Sequence, residues 1–330
     1  MTVSTDPFAT YKLLSTELES KGYHVSTEYQ DGSLFATYTS PGGKVWHTPA
    51  ARIRYPFSNE TARRLSRDKA ASYAFAKSKG VPIPFTLQIE HHEFLDDKEL
   101  EKTVQGYAPL IAKPNNSSLS RGLTLNITTV DGLKAAIRSA RLVRESDVLV
   151  QQQVSGVEVR FVVLRGKVKA ALLRQTPQVV GDGAKTVMTL IEEENLARQS
   201  LVFPYISYPQ LTGEIIDETY LHDQRILEKG EILELSKATM IRNGCSVYNI
   251  LDQVHPSYIE EIETFIEDID TSFLVADFLI NDYSVPCRND NHWFLEFNGS
   301  PVLKLCYGCR DGRMFDIVPL LSDLIDETLK

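Results

Sequence analysis

The hydrophobic positions at the start of the chain change from helical to alternating spacing. Apolar side chains recur three to four residues apart over 8–21, which predicts a helix that ends at Gly22. Short alternating runs follow up to Trp46 and predict strands. We interpret residues 1–66 as a small N-terminal α/β lobe.

A second helical pattern runs from Asp68 to Lys79 and stops at Gly80. Two prolines follow at once, at Pro82 and Pro84. Proline fixes φ and has no amide donor, so the helix cannot continue through them. The proline pair is therefore the best linker candidate in the chain.

A predicted β-hairpin is the clearest feature of the second half. Two apolar runs over 157–173 flank Arg165-Gly166-Lys167, a short turn whose glycine can adopt a positive φ. Further strands are predicted near 110–113, 148–153, 273–280 and 293–297, and further helices near 132–142, 186–199, 256–269 and 315–329. The mixed order indicates an α+β domain over 67–330, with a small lobe at about 80–152 and a large lobe at about 153–330.

Composition and charge narrow the class of protein. Of 330 residues, 42% are apolar and 24% are charged, which is typical of a folded soluble protein. The net charge of -9 argues against non-specific nucleic-acid binding through a broad basic face. Neither a secretory signal nor an apolar run of membrane-spanning length is evident, so we expect a cytoplasmic protein without a membrane partner.

The run from Trp293 to Asn298 carries the strongest chemical signal. Side chains alternate along a strand, so Glu296 and Asn298 are expected on one face and Trp293, Leu295 and Phe297 on the buried one. Two oxygen-bearing side chains would then converge.

Asp277 lies among seven apolar residues in the predicted strand 273–280. A buried charge without a partner is costly, so this carboxylate needs a cation or a donor. If the two strands are neighbours, Asp277, Glu296 and Asn298 form an all-oxygen cluster suited to Mg²⁺. The alternative is a solvated strand end, with Asp277 held by backbone amides.

Two further polar segments are candidates for nucleotide contacts. Lys113 ends a strand and precedes the hydroxyl-rich loop 115–122, which could offer a cation and backbone amides to phosphates. The glutamines ending the strand 148–153 could face a base, and Glu158 could reach ribose hydroxyls. A polar surface loop and an exposed strand face are the respective alternatives.

Taken in order, these segments resemble the ATP-grasp superfamily, most of all the ATP-grasp portions of cyanophycin synthetase and bifunctional glutathione synthetase. The stretches that carry the resemblance are Asp68-Lys69, 81–84, 112–114, 154–160, 174–177, 181–187, 252–256 and 295–298. The resemblance implies an ATP-grasp fold in which two α+β lobes enclose ATP, preceded by a smaller lobe.

The resemblance also implies an activity and its cofactors. It implies a carboxylate–amine ligase that uses ATP and Mg²⁺, or Mn²⁺ in its place, to join small amino-acid-like substrates through an acylphosphate. A homodimer is also common in this family. A kinase that stops at phosphoryl transfer and a non-catalytic nucleotide-binding protein are the alternatives.

Site roles follow from the resemblance position by position. ATP phosphates would be held by Lys69 and Lys113, adenine would be faced by Gln151 and the Gln153 backbone, and ribose would be bound by Glu158. The metal would be held by Asp277, Glu296 and Asn298. The acylphosphate would be stabilised by Arg160 and Arg174.

Three of the four cysteines lie close together in sequence near a histidine. Cys287, His292, Cys306 and Cys309 include a Cys-x₂-Cys pair that could bind Zn²⁺ in a structural site. Free thiols in a reducing compartment are the simpler alternative.

Overall fold

The computed structural model describes residues 6–93, 96–117, 121–203 and 206–330. Helices within these ranges are α1 (Ala9–Ser20), α2 (Glu60–Leu65), α3 (Lys69–Ser78), α4 (Asp97–Tyr107), α5 (Val130–Val143), α6 (Val187–Ser200), α7 (Pro256–Ile266) and α8 (Val318–Leu329). Strands are β1 (His24–Gln30), β2 (Ser33–Thr39), β3 (Val45–Pro49), β4 (Thr86–Ile89), β5 (Leu110–Pro114), β6 (Thr124–Ile127), β7 (Val148–Gln152), β8 (Val157–Leu164), β9 (Lys167–Gln175), β10 (Gln178–Val180), β11 (Ile232–Glu234), β12 (Ser246–Asn249), β13 (Phe273–Ile280) and β14 (His292–Asn298).

The strands form four antiparallel sheets. The N-terminal sheet has the order β1-β2-β3, and a second sheet has the order β4-β7-β5-β6. A third sheet, β12-β9-β8-β13-β14, is the largest, and β10 and β11 form a separate pair. Among the described helices, none is both long and apolar enough to cross a membrane.

The four-stranded sheet has a hydrophobic core of its own and lies within the predicted small lobe. Helix α5 packs on it through Leu133 and Ala136, and α4 contributes Leu100. Leu110 and Val150 lie on the sheet side of this cluster. Helix and strands alternate as the hydrophobic pattern predicts, which supports the expected α+β class.

The five-stranded sheet is buried on both faces by different elements. Phe161, Phe278 and Phe294 face α3 and α7 on one side. Val162 and Val275 lie on the other side, where α1, β2 and α8 cover them. The N-terminal segment thus shares a core with the large lobe, while the division at residue 66 stays a prediction.

The hairpin β8–β9 confirms the predicted turn. The strands end at Leu164 and restart at Lys167, so Arg165 and Gly166 are the two loop residues. Both have positive φ, 50° and 70°, as a type I′ turn requires. Its twist matches that of the flanking strands, and it sets the pairs Leu164–Lys167 and Val163–Val168, before the register shifts by one residue at Val162.

A β-bulge in β14 corrects the expected faces of that strand. Asp277 pairs with Glu296, but Phe278 pairs with Phe294, so Leu295 has no partner on β13. One surplus residue reverses the alternation. Phe294 and Phe297 therefore both enter the aromatic core, whereas Leu295 is only partly buried.

Two buried tyrosines in the core around α1 are expected to change stability in opposite directions when each is replaced by phenylalanine. The Tyr55 hydroxyl has no hydrogen-bond partner among the described residues, whereas the Tyr38 hydroxyl lies 3.1 Å from Ser15 Oγ. An unpaired buried hydroxyl costs stability, so Tyr55→Phe is expected to raise the free energy of unfolding by about 1 kcal/mol. Tyr38→Phe is expected to lower it by about the same amount, because Ser15 loses its partner.

Urea unfolding followed by circular dichroism measures both changes. Each variant removes one oxygen from a fully buried ring, so each serves as the control for the other. Equal destabilisation by the two variants would contradict the assignment of Tyr55 as unpartnered.

Candidate active site

One end of the large sheet carries a cluster of charged side chains. Asp277 on β13 lies opposite Glu296 on β14 and opposite Arg160 on β8. Directly opposed residues share a face, so these three side chains emerge together. The structure also brings in Asn298, whose Nδ2 lies 3.1 Å from Asp277 Oδ2 and 3.3 Å from Glu296 Oε1.

Asp277 is buried and is paired with an arginine. Arg160 donates from Nε to Oδ1 at 2.8 Å and from Nη2 to Oδ2 at 2.6 Å. Burial alone would lower the pKa of Arg160, but the facing carboxylate outweighs it and raises the pKa. Burial raises the pKa of Asp277, and Arg160 opposes that rise. The partner that the buried carboxylate requires is thus a guanidinium rather than backbone amides.

A lysine approaches the cluster from the first turn of α3. Lys69 Nζ lies 3.4 Å from Glu296 Oε2 and donates to the Ser117 carbonyl at 2.6 Å. Burial opposes ionisation of Glu296, but Lys69, Arg160 and Lys113 outweigh it and lower the pKa of that carboxylate. Glu296 is therefore held as an anion beside several cations.

The loop after β5 is tied to the start of α3. The Asn115 side chain donates to Asp68 Oδ1 at 2.9 Å and accepts from the Ala70 amide at 2.8 Å. Asp68 also caps α3 by accepting from the Ala71 amide. Ser118, Leu119 and Ser120 of the predicted phosphate loop lie outside the described residues.

Lys113 lacks a carboxylate partner among the described residues. Its Nζ donates to the Tyr73 hydroxyl at 2.9 Å, and no ion pair within 4.0 Å involves it. Burial lowers its pKa to about 8, although Glu296 acts in the opposite direction. An ammonium with three protons and one described acceptor retains donors for an anion.

Tyr73 is a site residue that the sequence analysis missed. Its hydroxyl donates to the Leu295 carbonyl at 2.8 Å and also lies 3.4 Å from Gln151 Oε1. Tyr73 follows Lys69 by four residues on α3, so both side chains lie on one helical face. That spacing is the signal by which it could have been found.

The other predicted nucleotide contacts are engaged within the protein. Gln151 is buried, and its Nε2 donates to Thr86 Oγ1 at 2.7 Å. The Gln153 amide donates to the Pro109 carbonyl at 2.8 Å, and its side chain pairs with Asn126. Their contacts with adenine stay predictions.

Glu158 and Arg174 form an ion pair with each other. They lie opposite one another on β8 and β9, next to the Arg160–Asp277 pair. Gly156 makes this strand start possible, because its φ is 143° and a Cβ there would lie 2.9 Å from the Ile280 carbonyl oxygen. The predicted ribose and acylphosphate roles of this pair remain untested.

The zinc alternative is wrong for the described residues. Cys306 and Cys309 lie in the core shared with α1, whereas Cys287 packs against the opposite face of the large sheet. His292 Nε2 lies 2.7 Å from Glu261 Oε1, so this nitrogen is hydrogen-bonded to a carboxylate and not to a thiol. In the described ranges, no group of three His, Cys, Asp or Glu side chains could hold a metal ion.

Comparisons with known proteins cover part of those proteins only. Cyanophycin synthetase of Trichormus variabilis is 26% identical over 266 residues, which are 79% of this chain and 29% of the relative. A glutathione biosynthesis bifunctional protein of Streptococcus agalactiae is 25% identical over 307 residues, 86% of this chain and 39% of the relative. The chain thus spans less than half the length of these curated relatives. No protein-family model matches the chain.

The structure is similar to that of a bifunctional glutathione synthetase from Pasteurella multocida. The TM-score is 0.64 at 18% identity, over 97% of this chain and 44% of the other. The chain has the ATP-grasp fold. The ATP-grasp fold expected from the sequence is thereby confirmed, whereas the bounds of the small lobe (about 80–152) and the large lobe (about 153–330) stay predictions.

The side chains of Asp277, Glu296 and Asn298 fit a hard divalent cation. Glu296 is partly exposed, and rotation of the Asn298 amide would turn its oxygen toward the cluster. Asp277 accepts on both oxygens from Arg160, yet each carboxylate oxygen has a second lone pair. The candidate ligand atoms are carboxylate and amide oxygens, which suit Mg²⁺ or Mn²⁺.

Removing the Asp277 charge is expected to destabilise the fold, because Arg160 would stay buried without a counter-ion. Asp277→Asn should lower the free energy of unfolding by about 3 kcal/mol, as for other broken buried pairs. Arg160→Met combined with Asp277→Asn should cost less than the sum of the single changes. Urea unfolding of all four proteins measures this coupling.

An exposed pair provides the control. Arg165 and Glu327 also form two hydrogen bonds, but both side chains are more than half exposed. Glu327→Gln should change stability by less than about 1 kcal/mol. Additive single effects at Arg160 and Asp277 would contradict the proposed coupling.

Proposed function

We propose that the chain is an ATP-dependent carboxylate–amine ligase that joins small amino-acid-like substrates. The ATP-grasp fold and the relatives named as synthetases support this class of reaction. The relatives are much longer than this chain, so the proposal covers only the activity of the part that this chain matches.

The observation that carries the proposal is the opposition of two lysines and a carboxylate–amide cluster. Lys69 on α3 and Lys113 on β5 face Glu296 on the large sheet, and both lower the pKa of that carboxylate. The whole cluster contains three carboxylates and four cations. The carboxylates are Glu158, Asp277 and Glu296, and the cations are Lys69, Lys113, Arg160 and Arg174. The excess positive charge complements a polyphosphate.

The residues have distinct proposed roles. Lys113 and Lys69 bind phosphate oxygens, and Glu296 and Asn298 hold a divalent ion, with Asp277 behind them. When bound, that ion neutralises phosphate charge and orients the transferred group. Arg174 lies beside the cluster on β9 and could shift from Glu158 to an anionic intermediate.

The proposed reaction has two steps. A substrate carboxylate oxygen attacks the terminal phosphorus of ATP, and ADP leaves, which yields an acylphosphate. The amine nitrogen of the second substrate then attacks the acyl carbon, the bond from that carbon to the phosphate oxygen breaks, and inorganic phosphate leaves with the proton that the nitrogen gives up. Phosphoryl transfer mainly requires positioning and charge neutralisation, which the lysines and a divalent cation held by the carboxylates would supply.

Release of ADP and phosphate over pairs of common amino acids tests the function. Release that requires both an acid and an amine is the expected result. ADP together with a phosphorylated single substrate would instead identify a kinase. Absence of ADP with every pair would overturn the proposal that the chain ligates these amino acids.

Glu296→Gln is a more specific test in this assay than a variant of Asp277, because loss of the Asp277 charge would also leave Arg160 without its counter-ion. It should reduce turnover by at least about 100-fold through loss of a metal ligand. Glu327→Gln is the matched control and should retain activity, since Glu327 is exposed and bonded to Arg165. Comparable activity in both variants would remove Glu296 from the site.

Removal of divalent ions should abolish turnover reversibly. Dialysis against EDTA is expected to stop ADP release, and Mg²⁺ or Mn²⁺ should restore it, because the proposed ligands Asp277, Glu296 and Asn298 offer carboxylate and amide oxygens to the ion. Circular dichroism before and after chelation checks that the fold persists. Full ADP release in EDTA would contradict the metal role.

A further inference from the structure

Tyr73 connects parts of the candidate site that belong to different lobes. It lies on α3, is almost fully buried, and contacts Lys113 of the small lobe and Leu295 of the large one. No predicted site role includes it. Its position between the two lobes therefore needs a separate explanation.

The direction of hydrogen bonding at Tyr73 is determined by proton count. Lys113 is a donor only, so the phenol oxygen accepts from it at 2.9 Å. The single phenolic proton then goes to the Leu295 carbonyl at 2.8 Å, which is nearer than Gln151 Oε1 at 3.4 Å. Such a chain of two donors polarises both bonds in the same sense.

The acceptor in this chain exists because of the bulge in β14. Leu295 has no partner on β13, and its carbonyl accepts from Tyr73. The next residue is Glu296, which also faces Lys69. Tyr73 thus ties the Lys113 ammonium to the strand segment that carries the candidate metal ligand.

We propose that Tyr73 is a positioning residue that fixes Lys113 for phosphate binding. One ammonium proton is committed to Tyr73, and the other two remain for an anion between the lobes. A lysine side chain is otherwise flexible, so this bond reduces the ordering needed when the ligand binds. The inference rests on the proposed function, because it assumes that the anion is the phosphate chain of a nucleotide.

Tyr73→Phe isolates the hydroxyl from the packing of the ring. The ring packs edge-to-face on Phe294 at 6.1 Å between centroids and lies 5.4 Å from Lys113 Nζ. Phenylalanine preserves both contacts. A change in binding therefore reports on the hydrogen bonds alone.

Calorimetric titration with the non-hydrolysable ATP analogue AMP-PNP in Mg²⁺, and with adenosine, tests the inference. Tyr73→Phe is expected to weaken AMP-PNP binding about tenfold, because a charged hydrogen bond is lost, and to leave adenosine binding unchanged. In a Lys113→Met background the same substitution should change AMP-PNP affinity by less than about twofold. Tyr38→Phe, a buried tyrosine in the other core, controls for loss of a hydroxyl.

The outcomes separate this inference from the proposed function. If the parent protein binds AMP-PNP and Tyr73→Phe binds it equally well, the inference is wrong and the ligase proposal is unaffected. Equal losses for adenosine and AMP-PNP, or an equal loss with and without Lys113, would show a general structural effect and also overturn it. If the parent binds no AMP-PNP, the proposed function itself fails.

Discussion

The buried ion pair between Arg160 and Asp277 is the interaction on which the site depends. Asp277 lies in an apolar interior strand of the large sheet, where a lone charge would be costly. Arg160 on the neighbouring strand neutralises it and thereby fixes the side-chain geometry around Asn298 and Glu296. Any cation that binds here must do so beside an arginine that is already present.

The face of the large sheet that bears Val275 and Asp277 has an apolar half and a charged half. Near Val162 and Val275 it is apolar and is covered by the N-terminal segment and α8, whereas near Asp277 it is charged. This division explains why apolar side chains of residues 11–57 pack in one core with these strands. The apolar half stabilises the strands that present the charged half.

Much of the local structure could be predicted from the sequence, but the contacts between distant segments could not. The run 273–280 has the bounds of β13, because a stretch that is apolar except at Asp277 ends at polar residues on both sides. The pairing of Arg160 with Asp277 joins residues 117 positions apart, and only the strand order of the sheet determines it. Likewise, periodicity placed Leu295 in the core, because a bulge leaves no signal in the alternation until the partner strand is known.

The surplus residue in β14 also constrains how this strand can change in evolution. Deletion of Leu295 would leave Phe294 opposite Phe278 and Glu296 opposite Asp277, so the rings and the carboxylate would keep their faces. What deletion would remove is the Leu295 carbonyl that accepts from Tyr73, a backbone group that any residue type at this position supplies. Homologous chains that retain the chemistry should therefore vary in side chain here and be invariant in residue count.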